Sequence, residues 1–491
     1  MRKKIQALLH DAVLYGMGNY LSKVVGFLLI PVYTRYLTTA DYGILALTGV
    51  FGSILFVIIN MGQSSAIFRS YFDSDDPKLR DAVISTGFRL LLAISLPLSL
   101  IPVLLAGEVA RHLLDNPALW LFIVLTALAT LSKEFARIPF AVMRAERQAT
   151  RYAMFSLVRT LLNILLAMAL VVGFEKGVLG ILIGQCATEI ALCLILYPSI
   201  LASLKPAFSG TLARDLLSYG LPFVPAGLSS FLLNLSDRYF LKHYTTMEEV
   251  GLYALGYRFG EIIWLLVWAF QLAWPTFLFS NRQSPNARQL YARVTTYYVA
   301  GMGYMWLAIA VLAREVIMLM AAPSFHAAYQ VVPLIALASL LHGVAFLGAV
   351  GISLEKKTIY HPFIVGTAAL LNVVLNYLWI PTYGMMGAAY ATVASFLLQC
   401  LITPAIALRF YFIPYEYARL LRIVAISGGL YVCSGWVSST SLALALSSKA
   451  LLLCLYPLLL VLTGFLLPEE LLYLRRTARA LRSHLVASGN G

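Results

Sequence analysis

Apolar residues run through this chain in long blocks, and short polar stretches between them hold most of the charge. Fifty-one residues between Lys357 and Arg409 carry no formal charge, nor do 39 between Glu315 and Glu355. A helix needs about 20 mostly apolar residues to cross a hydrocarbon core about 30 Å thick. Taken in order, the blocks predict fourteen such helices, at 12–36, 42–63, 82–106, 118–143, 152–174, 178–200, 215–242, 250–280, 291–313, 328–353, 359–380, 385–411, 421–440 and 449–467. The first, seventh and eighth carry charges inside them.

Composition agrees with that pattern. Charged residues are 12% of the 491, about half the usual ~25%, and apolar residues are 60%. The net charge of +14 would point to nucleic acid in a soluble protein, so its placement matters. With the N-terminus in the cytoplasm and strict alternation, 23 of the 36 basic residues fall on the cytoplasmic side. Six fall outside: Arg35, Arg111, Lys176, Lys242, Arg314 and Lys449. That bias follows the positive-inside rule. It puts both termini in the cytoplasm and assigns the charge to topology, with no nucleic acid implied. No cleavage site follows Arg2-Lys3-Lys4, so the first block reads as a retained helix. The five cysteines sit in apolar runs with no metal-ligand spacing.

The two halves echo each other. Glu146-Arg147-Gln148 returns 209 residues later as Glu355-Lys356-Lys357, and Leu-Leu-Asn ends at Asn163 and at Asn372. Gly177 and Gly180 match Gly384 and Gly387. Arg35-Tyr36, Thr38-Thr39 and Gly43 match Arg238-Tyr239, Thr245-Thr246 and Gly251. The repeating unit is six helices, an even number, so both copies enter the membrane in one orientation about an axis along its normal. Transporters of this kind bind substrate between the halves. The expected organisation is an N-terminal lobe at 1–204, a C-terminal lobe at 205–412, two further helices within 413–468, and a basic tail at 469–491. The fold class is therefore an all-α integral membrane protein.

Three motifs carry a family resemblance. They are Pro31-Val32-Tyr33-Thr34-Arg35-Tyr36-Leu37 with Asp41-Tyr42-Gly43, then Ser236-Asp237-Arg238-Tyr239-Phe240-Leu241, then Leu370-Leu371-Asn372 through Ile380-Pro381 to Tyr383–Ala389. In these the chain resembles the polysaccharide transporter (Wzx-type) family of the multidrug/oligosaccharidyl-lipid/polysaccharide (MOP) flippase superfamily, over roughly 10–412. The resemblance implies export of undecaprenyl-diphosphate-linked sugar repeat units, of O-antigen or exopolysaccharide type, from the inner to the outer leaflet of a bacterial inner membrane. The partners implied are that lipid, the surrounding membrane lipids, and the polymerase and chain-length machinery of the same pathway.

Ionisable residues inside spans are costly unless they face water or a partner. Here they are Lys23, Arg89, Lys133, Glu134, Arg137, Arg159, Glu189, Asp237, Arg238, Arg258 and Glu261. Seven positive and four negative charges, concentrated in spans one and three to eight, suggest a cationic cavity. Such a cavity suits a diphosphate, which Arg grips with two hydrogen bonds and Lys as a point charge. The candidate cavity cations are Lys23, Arg35, Arg89, Arg159, Arg238 and Arg258. Asp237, Glu189 and Glu261 are candidates for ion coupling or for pairing. Snorkelling competes for Arg89, Arg137 and Arg159. An Arg258–Glu261 pair and an Asp237–Arg238 lock compete for the rest. Aromatics including Tyr239, Tyr253, Tyr257, Trp264, Trp268 and Trp274 fit either sugar stacking or ordinary packing. Gly26 and Pro31 in span one, and Pro222 and Pro225 in its repeat mate, are candidate hinges.

Other motifs lead elsewhere. Asp73-Ser74-Asp75-Asp76 superficially resembles a metal-binding DxD but reads as a loop and cap. No Walker-type loop is present, so ATP is not the direct energy source. No cofactor is expected, and coupling to Na⁺ or H⁺ stays open. His342 and His361 read as core residues rather than proton carriers. The basic stretch 469–491 reads as an amphipathic helix on the inner membrane surface. Short outer loops and the lack of a carboxylate pair argue against an enzyme. The alternatives are a cation-coupled multidrug antiporter of the same superfamily, or a flippase for another polyprenyl-linked precursor of peptidoglycan or teichuronic type. A membrane glycan enzyme ranks behind both.

Overall fold

The computed structural model describes residues 24–71, 76–146, 148–201, 208–436 and 442–470, and within these every regular element is helical. The first helices are α1 (Ile30–Tyr36), α2 (Thr39–Asn60), α3 (Gln63–Tyr71), α4 (Pro77–Leu104), α5 (Ala106–Leu114), α6 (Trp120–Ala145), α7 (Ala149–Met168) and α8 (Gly177–Leu201). There follow α9 (Gly210–Gly220), α10 (Phe223–Tyr244), α11 (Met247–Gly260), α12 (Ile262–Ser280), α13 (Ala287–Met320) and α14 (Val332–Gly348). The last are α15 (Val350–Leu354), α16 (Tyr360–Phe410), α17 (Tyr417–Ser434) and α18 (Leu442–Leu462). Lys23 with residues 12–22 of the expected first span, Asp73–Asp75 and the tail from 471 lie outside the described residues.

Ten of the described helices are long and apolar enough to cross a membrane, or eleven if the bent pair Pro323–Gln330 and Val332–Gly348 is one span. The chain is a multi-pass membrane protein. At 1.5 Å per residue the 51-residue α16 would run to about 75 Å, more than twice a hydrocarbon core. Gly384, at φ +54° and ψ −134°, breaks it between the expected eleventh and twelfth spans. The expected seventh span is broken at Leu221–Pro222 and the eighth at Glu261.

Local chemistry accounts for these ends. A capping box opens α2, with the Asp41 N–H donating to Thr38 Oγ1 (3.1 Å) and the Thr38 N–H to Asp41 Oδ2 (3.0 Å). Left-handed Met61 (φ 44°) and Gly62 (φ 68°) close it. Asp76, the last residue of the DxD-like run, caps α4 through the Lys78 N–H (3.0 Å), and Pro77 follows at the first helical position.

Contacts gather the helices into two units: Met1–Arg258 with Ile317–Val331 and Ile359–Leu398, and Phe259–Val316 with Val332–Thr358 and Gln399–Gly491. In the first, Leu55 and Ile59 of α2 pack on Ala127 of α6. α2 and α11 cross so closely that a Cβ on Gly43 would lie 2.2 Å from the Met247 carbonyl oxygen. A Cβ on Gly251 would lie 1.9 Å from that of Thr39. Gly43 and Gly251 are 208 positions apart, as are Thr39 and Met247. A contact in which i meets j′ and j meets i′ is what a two-fold relation between repeats produces.

The second unit has an aromatic-rich core around Trp274, Tyr291, Tyr298 and Trp306. The Trp306 indole donates to the Pro333 carbonyl (2.9 Å), and a buried pair joins Lys449 to Glu315 (2.6 Å). His342 packs on Trp264 (centroids 4.4 Å apart). Arg419 bonds Glu416 and Glu470 at 2.8 and 3.1 Å.

Candidate functional site

Polar residues recur on one face of otherwise apolar helices in the first unit. On α7, Ser156, Arg159, Thr160 and Asn163 follow i, i+3, i+4, i+7, the spacing of a single helical stripe. Thr48 and Gly49 on α2, Thr126 and Lys133 on α6, and Gln185 on α8 face the same space. Together with Gly26 and Tyr33 from the first span and Arg258 from the end of α11, they enclose a cavity of about 480 Å³.

Three cations stand in its wall. Lys133 and Arg258 are exposed, and Arg159 is half-buried. The Arg159 guanidinium bonds Glu189 of α8, with Nε 2.9 Å from Oε1. Arg258 Nη1 donates to the Tyr42 hydroxyl (3.0 Å). Among the described residues, three cations and the one carboxylate bonded to Arg159 leave this wall net positive. In a low-dielectric surround such an excess attracts anions.

The sequence-derived candidates divide clearly. Arg159 and Arg258 are brought together at the cavity, with Gly26 beside them. Lys23 lies outside the described residues. Arg35, in the last turn of α1, is exposed and outside the cavity lining, and Arg89 is half-buried on α4, also outside it. Arg238 is buried elsewhere: its Nη1 meets Asp237 Oδ1 at 3.3 Å and the Asn234 carbonyl at 3.1 Å, and its guanidinium covers Tyr257 at 4.5 Å. Asp237 Oδ2 accepts from the Tyr253 hydroxyl (2.5 Å), so this is the lock between neighbours that the sequence also allowed. Glu189 pairs with Arg159, and Glu261 is exposed at the α11–α12 break. Pro31 sits in the first turn of α1, just past a turn at Leu29, and Pro222 and Pro225 flank the start of α10.

Lys133, one of the charges within the expected spans but not among the candidate cavity cations, stands in the cavity wall. Consecutive helical residues point about 100° apart, and Glu134 turns away toward α2 and α3. The α7 polar stripe was the signal that would have found Ser156, Thr160 and Asn163.

Residues 32–330, more than half of the chain, match the family described as "Polysaccharide biosynthesis protein". The chain belongs to that family. It is 25% identical over 270 residues to a Haemophilus influenzae protein named for its Lsg locus, a match covering 54% of this chain and 64% of that relative's length, under two thirds. Its fold is similar to that of the solved structure "Lipid II flippase MurJ, inward closed conformation". The TM-score is 0.71 at 14% identity, covering 91% of this chain and 98% of that one. It is also similar to an inward-facing multidrug resistance MATE family transporter of the MOP superfamily, with a TM-score of 0.62 at 14% identity, covering 84% and 95%. The fold is thus shared with a solved flippase and a solved transporter.

Proposed function

We propose that the protein is a flippase that moves undecaprenyl-diphosphate-linked oligosaccharide repeat units from the cytoplasmic to the outer leaflet of a bacterial inner membrane. In this reading the chain crosses the membrane fourteen times with both termini in the cytoplasm, and its two six-helix repeats alternate access to the substrate. The observation that carries the reading is the cationic cavity. Lys133, Arg159 and Arg258 face one space within a membrane bundle, and Glu189 bonds one of them, Arg159. A diphosphate bears compact negative charge that Arg and Lys bind well. The hydroxyl and amide groups of Ser156, Thr160, Asn163 and Gln185 suit a polar headgroup.

An antiporter for cationic drugs shares the superfamily, but its substrate carries the opposite charge to this wall. A flippase for another polyprenyl-diphosphate precursor keeps the same chemistry and differs only in the sugar.

Proteoliposomes loaded with a tagged undecaprenyl-diphosphate oligosaccharide test the reading. Wild type is expected to move the lipid between leaflets. Arg159→Ala and Arg258→Ala are each expected to slow it about tenfold or more, since losing one charge-assisted contact costs roughly 1.5–3 kcal/mol. Export of cationic dyes without lipid movement would replace the flippase with the antiporter.

A further inference from the structure

A second ionisable site lies behind the cavity wall, where the proposed substrate does not reach. Glu134 is fully buried. Its Oε1 accepts from Asn60 Nδ2 and, at a long 3.4 Å, from the Ser64 hydroxyl. No hydrogen bond reaches Oε2 from the described residues. Arg137 Nη1 makes a long ion pair with that Oε2, at 3.9 Å, its side chain 40% exposed and its guanidinium over Phe56. Gln63, which precedes Ser64, is 1% exposed, and neither of its amide atoms finds a partner among the described residues. An ionised carboxylate is costly in such surroundings when one oxygen accepts no hydrogen bond and its counter-ion stands 3.9 Å off and half in solvent. A proton on Oε2 removes the charge and turns that atom into a donor.

The same three residues hold a helix break. Asn60, Gln63 and Ser64 flank left-handed Met61 and Gly62, and the Gly62 N–H donates to Asn60 Oδ1 (3.1 Å). The Asn60 amide therefore ties the Glu134 carboxylate to the turn. The turn in turn lies against the end of α9. A Cβ on Gly220 would stand 2.3 Å from the Met61 carbonyl oxygen, and one on Gly62 would stand 2.6 Å from that of Gly220. Two residues later Pro222 opens α10.

We propose that Glu134 is a proton-binding site whose charge state is relayed through Asn60 and the Met61–Gly62 turn to the helix break at Gly220–Pro222. The proton exchanges with water and no other reactant is involved. A metal ion fits less well. Asn60 offers Glu134 its N–H₂ because Gly62 occupies its oxygen, whereas hard divalent cations gather six or more oxygens. Arg137 adds positive charge beside it, and no group of three His, Cys, Asp or Glu gathers among the described residues. Lys133 and Arg137 are the charges of α6 nearest Glu134. The helices packed on α6 bring Arg159 (α7), Glu189 (α8), Arg69 (α3) and Arg89 (α4), while α2 and α5 carry theirs toward the opposite end of α6.

Two substrate-free readouts on the purified full-length protein test this, so their failure leaves the lipid-transport reading untouched. Infrared spectroscopy follows the protonated-carboxyl band through a pH titration. Hydrogen exchange over 208–230, corrected for intrinsic pH dependence, follows the break. Wild type is expected to show a titrating band and a several-fold pH-dependent change in exchange. Glu134→Gln should lose both, and Glu134→Asp should keep both with a shifted midpoint. Asn60→Ala, which leaves the carboxyl in place, should keep the band and lose the exchange response. A band that survives in Glu134→Gln, a wild type with no titrating band, or a pH response that needs Na⁺ would overturn the proposal.

Discussion

Glu189 holds one of three cavity cations through a close guanidinium–carboxylate contact. Any anion that enters competes with that carboxylate for Arg159. Replacing Glu189 with Gln is expected to tighten binding of a lipid diphosphate by about tenfold, or ~1.4 kcal/mol. Release should slow, so KM and kcat fall together. Equilibrium binding and transport rates on the same preparation check this. A second residue-scale expectation concerns Glu470, just past α18. Burial pushes its carboxyl up, but the Leu467 N–H, Tyr297, Arg419 and Arg293 together hold it below the usual carboxylate range. A carboxyl depressed in the folded state contributes stability above its unfolded pKa of about 4.3 and loses it as pH falls through the folded value. Glu470→Gln is therefore expected to melt lower than wild type at pH 7, with the difference closing as the pH drops below 4. A difference independent of pH would contradict that account.

At the scale of elements, the α2–α11 crossing is set by two glycines. Gly43→Ala or Gly251→Ala places a methyl inside a backbone carbonyl contact, and each is expected to destabilise by about 1–3 kcal/mol. Gly49→Ala on the same helix meets nothing within 4 Å and should leave the melting temperature unchanged or slightly raised, because Ala is the better helix former. Thermal denaturation in detergent separates the two. The break before α10 gives a further test. Pro222→Ala with Pro225→Ala restores backbone donors and is expected to slow transport while leaving the fold intact. Unchanged transport would count against bending at this point.

For the whole molecule, hydropathy alone made the membrane class and most helix positions legible, because a bilayer requires long apolar runs whatever their neighbours. The breaks at Leu29, Leu221–Pro222 and Glu261 were not legible in the same way. Leaving a helix for one or two residues barely changes mean hydropathy, and only Pro and Gly hinted at it. The site was half visible. Arg159 and Arg258 stood out as charges in apolar runs. Arg238 stood out equally, yet Asp237 satisfies it locally, and side-chain pairing of that kind is decided by rotamers that spacing does not encode. Orientation is the remaining whole-molecule expectation. Reporters fused at the N-terminus, near Ser284 and after Leu467 should read cytoplasmic, and one near Lys176 should read external.

The reciprocal contact of Gly43 and Gly251 has a consequence for how this chain can change over generations. In a dimer of separate identical subunits, one codon writes both sides of a self-complementary patch, so every substitution strikes twice. Here each side has its own codon. A change at Gly43 leaves Gly251 as it was, and Met247 opposite is free to answer it. The same independence separates Lys133, in the cavity wall, from His342, which stands 209 positions later and packs against Trp264.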